Sequence, residues 1–382
     1  MRLIEADGKL LLRRRGLPVP NGRLYAEGDA IEPLPGGAAI KAQLFTGARG
    51  KGGLVQIADE PAVSTVAATV LARMRDIGAT PHILVEEKVE IETEYYLAWR
   101  IDDVRQAPVM LFATQGGIDV ESNADAIREF VWDPLRPLYP HHLVQFLIEA
   151  GAAKRPLGAI ARFAADLYRL FVAEDAELLE INPLAITPKG QVIALDAKVV
   201  LDDNARSRHR DWNELLSARL ERAAMSPLEV RARKHGLTLV DLDGCVALFA
   251  GGAGFGMALV DILADAGVPA ANFADASGGS SPEAFATMGD VILERAADPS
   301  VKAIVCFQTM GATSLKTAVD GLLSACDRAT HKKPLVVGFA VSATSAREMS
   351  AEEARRLFAA RGHHVIHDLD ELIPTLKRLI AS

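Results

Sequence analysis

This 382-residue sequence is poor in aromatic side chains, which make up 5% of it. That leaves little material for the stacking platforms on which single-stranded nucleic acids are read. It has no excess of basic residues. Asp and Glu outnumber Lys and Arg by 50 to 42, and the formal charge of −8 argues against a nucleic-acid partner. Cysteine is scarce: Cys245, Cys306 and Cys326 lack paired metal-type spacing, and the first two fall in apolar, strand-like runs. Free buried thiols in a reducing compartment are expected rather than a disulfide framework. No uninterrupted apolar run is long enough to span a membrane, and Met-Arg-Leu-Ile-Glu-Ala-Asp lacks the apolar core of a signal peptide, so the expected location is the cytoplasm. There is no Gly-x-Ser-x-Gly, and none of the nine histidines sits in a glycine-rich loop or a persuasive metal-ligand spacing.

What is present is a globular composition, 49% hydrophobic and 24% charged, long enough for two or three domains. Residues 3–15 read as a helix ending at Gly16-Leu-Pro-Val-Pro20. Two strands follow around Thr46–Gly53, then a helix near 61–78, strands at 82–89, 94–101 and 107–114, and mostly helix over 140–175. Residues 206–236 read as a helical connector. Beyond Gly236, strands at 245–250, 270–274, 302–307, 334–339 and 364–366 alternate with helices at 254–266, 282–296, 313–328, 346–360 and 369–381. That alternation predicts a doubly wound parallel α/β sheet with helices on both faces.

The most specific local pattern is a hairpin. Glu177–Thr187 and Gln191–Lys198 are alternating apolar runs around Pro188-Lys189-Gly190. A three-residue loop there pairs Asn182 with Asp196 and Glu180 with Lys198, all on one face, with Leu179, Ile181, Leu195 and Ala197 on the other. Such an oxygen-rich set suits a hydrated magnesium ion carrying nucleotide phosphates. It equally suits a sheet face held by cross-strand ion pairs.

Other segments read two ways. Gly47–Gly53 carries four glycines with Arg49 and Lys51, which fits an anion cradle or a surface hairpin. Lys41, in the preceding strand, points to a phosphate site or an edge strand. Glu86 and Glu94 fit adenosine contacts or solvated strand ends. Gly251–Gly256 opens a helix after an apolar strand, with Asp275 about 20 residues on, which resembles a dinucleotide fingerprint but is short of Gly-x-Gly-x-x-Gly. Ser277–Ser281 and Gln308–Thr313 each precede a helix, as anion sites or ordinary caps.

Taken in order, these segments resemble the β subunit of ADP-forming succinyl-CoA synthetase and its acyl-CoA ligase relatives, malate–CoA ligase and the N-terminal part of ATP-citrate lyase. The carrying pieces include Gly16-Leu-Pro-Val-Pro20, Lys41-Ala-Gln with Gly47-Ala-Arg-Gly-Lys51, Ile83-Leu-Val-Glu86, Glu94-Tyr-Tyr-Leu97, Thr114-Gln-Gly-Gly117 and Trp132-Asp-Pro-Leu135. Leu179-Glu-Ile-Asn-Pro-Leu184 with Ala194-Leu-Asp-Ala-Lys198 is the most specific; Asp202-Asp-Asn-Ala205, Gly252-Ala-Gly254 and Ala271-Asn-Phe273 complete the series. The resemblance implies an ATP-grasp region over 1–222 and a flavodoxin-like CoA-ligase domain over 223–382. By the same resemblance, Lys41, Ala48, Arg49 and Gly50 would hold ATP phosphates, Glu86, Val89 and Glu94 the rest of the nucleotide, and Asn182 and Asp196 Mg2+. Gly251, Met310, Gly311 and Ala312 would meet a small carboxylic acid. Pro20 resembles the ATP-using members. The family reaction also implies an α-type, CoA-binding partner carrying a phosphohistidine, since no counterpart of that histidine appears here.

The sequence departs from the succinate enzymes where they carry Asn before Gly-Ala-Gly, which is Gly251 here, and where they carry Asn-Ile-Phe-Gly-Gly-Ile, which is Phe307-Gln-Thr-Met-Gly-Ala312. Gln308, Thr309 and Thr313 are candidate replacements for the lost hydrogen-bonding side chain. The departure keeps the identity of the acid open. It also keeps a non-catalytic or regulatory homologue as an alternative, beside an NAD-binding oxidoreductase built on Gly251–Gly256.

Overall fold

The computed structural model describes residues 1–32, 34–45, 52–117, 126–275, 281–329 and 333–381. The chain divides into two compact units, Met1–Ala223 and Ala224–Ser382.

The first unit holds two antiparallel sheets. One is built from β1 (Gly22–Ala26), β2 (Ala38–Ala42), β3 (Val55–Ala58) and β4 (His82–Glu87), in the order β1-β4-β2-β3. Helix α2 (Val63–Asp76) lays Val63, Ala67, Val70, Leu71 and Met74, a single helical stripe, into a core with Ile40, Ile83 and Val85. Alternation then sends Lys41 and Glu86 to the opposite face. Lys41 pairs with Leu84 and Glu86 with Ala39, so the two charged residues are diagonal neighbours across β2 and β4.

The second sheet contains β5 (Thr93–Asp102), β6 (Ala107–Ala113), β7 (Arg128–Val131), β8 (Ala176–Ile186), β9 (Val192–Ala194) and β10 (Lys198–Leu201). Its order is β10-β8-β5-β6-β7, with β9 also on β8. Helices α3 (Pro140–Glu149) and α4 (Leu157–Ala173) close its core around Trp99, whose indole N–H donates to the Ala164 carbonyl at 3.0 Å. Helix α1 (Glu5–Arg14) adds Leu11 and Leu12 to the same core, tied at its start by Leu3 N–H to Val199 O at 2.9 Å.

The connector forms two helices, α5 (Leu216–Ala224) and α6 (Pro227–Lys234), the latter opened by a reciprocal Ser226–Glu229 capping box. The second unit is one sheet: β11 (Thr238–Asp241), β12 (Val246–Ala250), β13 (Asn272–Asp275), β14 (Ala303–Met310), β15 (Leu335–Val341) and β16 (His364–Ile366). The order is β11-β13-β12-β14-β15-β16. The last five strands are parallel, which is the doubly wound order 2-1-3-4-5, and β11 is an antiparallel edge. Helices α8 (Pro282–Ala296), α9 (Leu315–Arg328) and α10 (Ala351–Ala359) pack on one face with Ala247 and Phe249. Helices α7 (Ala253–Asp265) and α11 (Leu372–Ala381) pack on the other with Val246, Leu248 and Ala250. Among the described residues no helix is long and apolar enough to cross a membrane.

Candidate functional site

In the first unit the hairpin has the register that its turn implies on either side of residues 195–197, while the expected Asn182–Asp196 pair falls outside the paired residues. Leu184 pairs with Ala194 and Ile186 with Val192; beyond a break at Leu195–Ala197, Lys198 pairs with Glu180 and Val199 with Leu179. Leu179, Ile181 and Ala197 are buried, whereas Glu180, Asn182 and Asp196 are half-buried and Lys198 is exposed. Glu180 and Lys198 form a loose ion pair at 3.7 Å. The break frees the Leu195 carbonyl from the ladder, and two lysines converge on it.

Those lysines are Lys41 and Lys9. Lys9 Nζ lies 2.7 Å from the Leu195 carbonyl, 2.7 Å from Glu5 Oε1 and 2.5 Å from Glu86 Oε2. Lys41 Nζ lies 2.8 Å from Glu5 Oε1 and 3.0 Å from Glu86 Oε2, and it also donates to the Leu195 carbonyl. All four residues are less than a tenth exposed. Burial works against the Lys41 ammonium, but the charges of Glu5, Glu86 and Asp196 outweigh it and hold it above the ordinary lysine range. Burial, aided by the charge of Lys41, pushes Lys9 below that range despite Glu5 and Glu86. Glu86 Oε1 is buried and has no hydrogen-bond partner among the described residues.

A second convergence lies at Gly116-Gly117. Asn182 Oδ1 accepts the Gly117 N–H at 2.6 Å and its amide N–H donates to the Gly117 carbonyl at 3.2 Å. A methyl placed on Gly117 would sit 3.4 Å from Glu94 Oε2, so Glu94 also flanks this turn. Val89 is half-buried in the segment after β4. Ala48, Arg49 and Gly50, expected to meet phosphates, lie outside the described residues, as does Ser277–Ser280.

Glu5, Lys9 and the Leu195 carbonyl are additions that sequence reasoning missed. The signal for the first two was a Glu and a Lys one turn apart on a helix that also buries Leu11 and Leu12.

In the second unit, Gly251 follows β12 beside the end of β14, which is where a doubly wound sheet forms its crevice. Gly251 N–H donates to Phe307 O at 3.0 Å, and the Thr309 hydroxyl donates to Gly251 O. Gln308 is 2% exposed and its amide donates to Phe249 O at 3.2 Å. The hydrogen-bonding groups proposed as replacements at 308 and 309 are therefore committed inside the fold, because β14 points alternate side chains into its two cores. Met310 also packs its side chain into a core and its carbonyl accepts the Ser342 N–H at 2.9 Å, while Gly311 and Ala312 are exposed. Asp275 accepts the Gly252 N–H at 3.1 Å at the start of α7. A carboxylate already occupies that helix N-terminus, which weighs against a pyrophosphate there. Gly256 serves packing: a methyl on it would lie 2.8 Å from the Phe273 ring.

Family models match in the same order, ATP-grasp domain over residues 2–186 and CoA-ligase over 248–372. The ADP-forming succinate–CoA ligase subunit beta of Rubrobacter xylanophilus is 33% identical over 392 aligned residues, covering 100% of this chain and 98% of that one. The GDP-forming succinate–CoA ligase subunit beta of Thermus thermophilus is 34% identical, with 94% of each chain covered. Among solved structures, ATP citrate lyase from Methanothrix soehngenii matches 96% of this chain and 95% of its own, with a TM-score of 0.74 at 18% identity, a likeness of fold.

Proposed function

This chain belongs to the succinate–CoA ligase β-subunit family, and we propose that it is the nucleotide-using subunit of an ADP-forming carboxylate–CoA ligase. Residues 1–222 take the ATP and residues 223–382 the acid-facing part of the reaction. Lys41 with Ala48, Arg49 and Gly50 holds the phosphates, and Glu86, Val89 and Glu94 hold the remainder of the nucleotide. Asn182 and Asp196 are hard oxygen donors, a set that suits Mg2+ completed by water and phosphate oxygens. When bound, the ion supplies neutralisation of phosphate charge. The protein's own contribution is placement: an ammonium at Lys41 held by Glu5 and Glu86 before the nucleotide arrives. The γ-phosphoryl group passes from ATP to a histidine of an α-type, CoA-binding partner; the P–O bond breaks, a P–N bond forms and ADP leaves. The acid then meets main-chain groups near Gly251, Met310, Gly311 and Ala312.

The observation that most supports this reading is the buried ion pair of Lys41 with Glu86 at 3.0 Å, which joins β2 to β4, together with the Lys41 bond to the Leu195 carbonyl beside Asp196. The test is co-purification with an α-type subunit and transfer of labelled γ-phosphate to it. Asp196→Ala is expected to abolish transfer with the melting temperature unchanged; undiminished transfer would sink the metal assignment. An acid panel scored for ATP- and CoA-dependent ADP release then identifies the substrate. A pair that binds magnesium–ATP and turns over no acid would point to the regulatory homologue.

A further inference from the structure

We infer that Glu5 and Lys9, one turn apart on α1, are positioning residues for the nucleotide site, holding Lys41 and Glu86 in place and balancing their charge. The inference rests on the nucleotide-binding reading of Lys41 and Glu86. Each carboxylate bridges both ammoniums: Glu5 Oε1 lies 2.7 Å from Lys9 Nζ and 2.8 Å from Lys41 Nζ, and Glu86 Oε2 lies 2.5 Å and 3.0 Å from the same two atoms. Two cations and two anions thus share one buried spot, capped by the Leu195 carbonyl that both lysines use. A fixed ammonium that must meet a polyanion needs such support, because a lone Lys–Glu pair would let the carboxylate claim the ammonium.

α1 is itself held rigidly for this task. Ser217 Oγ accepts Ile4 N–H at 2.9 Å and donates to Asp7 at 2.5 Å, Ser217 N–H donates to Asp7 at 2.6 Å, and Ala6 N–H donates to the buried Gln43 at 2.8 Å. A methyl on Gly8 would lie 3.1 Å from Val199 and 3.2 Å from the Ala197 carbonyl, so the helix lies directly on the chain that carries Asp196. Removing Lys9 leaves one ammonium between two carboxylates and a site one charge more negative. Removing Glu5 as well restores the balance.

The test uses the full chain, magnesium and a non-hydrolysable ATP analogue, read by isothermal titration beside thermal melting. The wild-type chain binds. Lys9→Met raises the dissociation constant about tenfold, the scale on which supporting residues act. Glu5→Gln added to it recovers most of that loss. Glu5→Gln alone, which leaves the site one charge more positive, shows a steeper fall in affinity as salt rises. A merely structural role predicts lower melting temperatures with unchanged affinity in the folded protein, and a double variant no better than Lys9→Met; that result overturns the inference. If Lys9→Met does not fold, wild-type affinity and wild-type salt dependence in Glu5→Gln overturn it. Absence of binding by the wild-type chain overturns the nucleotide reading and this inference with it.

Discussion

Replacing Gly251 by alanine tests how tightly the crevice of the second unit is built. The new methyl would lie 2.7 Å from Thr309 N, 2.9 Å from Thr309 O and 3.0 Å from Gln308 Oε1. The first two atoms are backbone of β14, which pairs with β12 on one side and β15 on the other, so they cannot retreat without breaking a ladder. Over-packing of this kind costs about 1–3 kcal/mol. The displaced loop also loses the bond from Gly251 N–H to Phe307 O or the one from the Thr309 hydroxyl to Gly251 O, each worth about 1 kcal/mol. A total near 3 kcal/mol lowers the melting temperature of a unit this size by roughly 6–12 °C. Differential scanning calorimetry of Gly251→Ala should show that shift in the transition of residues 224–382 and none in that of residues 1–223. Gly254→Ala is the control, because a methyl there meets nothing within 4 Å; it should be neutral or stabilising by up to about 1 kcal/mol. A shift below about 1 °C in Gly251→Ala, or equal shifts in both variants, would refute the close approach. Gly251→Asn, which restores the residue of the succinate enzymes, should cost more than alanine, since the amide needs further room on the same side.

Lys41→Met leaves two buried carboxylates sharing one ammonium, so it should cost about 3–5 kcal/mol in urea unfolding of the first unit. Burial pushes the Cys306 thiol up to about 12. At pH 8 it should therefore resist iodoacetamide in the native protein and react only in denaturant, as mass spectrometry of the tryptic peptides would show. Hydrogen bonds from Arg208 and His209 hold the Asp175 carboxyl below its ordinary value. A depressed folded-state value means stability that is present above the unfolded value of about 3.9 and lost as pH falls through the folded one. Asp175→Asn should flatten that acid-side loss in a circular-dichroism titration; an unchanged acid slope would remove Asp175 from the account.

The hairpin and the second unit were legible because their information is local. A turn of known length fixes the pairing of Glu180 with Lys198, and β-α alternation fixes a parallel sheet. The strands that sequence reasoning omitted, β1, β7 and β11, are short edge strands, and exposed residues interrupt any apolar alternation in them. The helix expected from 346 starts at Ala351, where Ser350 accepts the Glu353 N–H at 3.1 Å and sets the N-terminus. Met310 could have been placed by parity, since Cys306, Gln308 and Met310 alternate with Val305, Phe307 and Thr309 along one strand. The lysine cluster was not legible. Positions 5, 9, 41, 86 and 195 meet only after a helix and two sheets have packed, and no spacing in the sequence records that.

Asparagine at 182 follows from main-chain chemistry as much as from any ligand. Gly116 lies so close to β5 that a methyl on it would sit 2.6 Å from the Tyr95 carbonyl oxygen, and Gly117 then turns into the left-handed region at φ 97°. That turn presents both an N–H and a carbonyl to residue 182. Only a side chain with one acceptor and one donor answers both, and the pair of bonds fixes which end of the amide is oxygen. Aspartate would meet the N–H and set its second oxygen against the Gly117 carbonyl. The glycine pair thus selects a neutral amide at 182, with both of its ends bonded to Gly117.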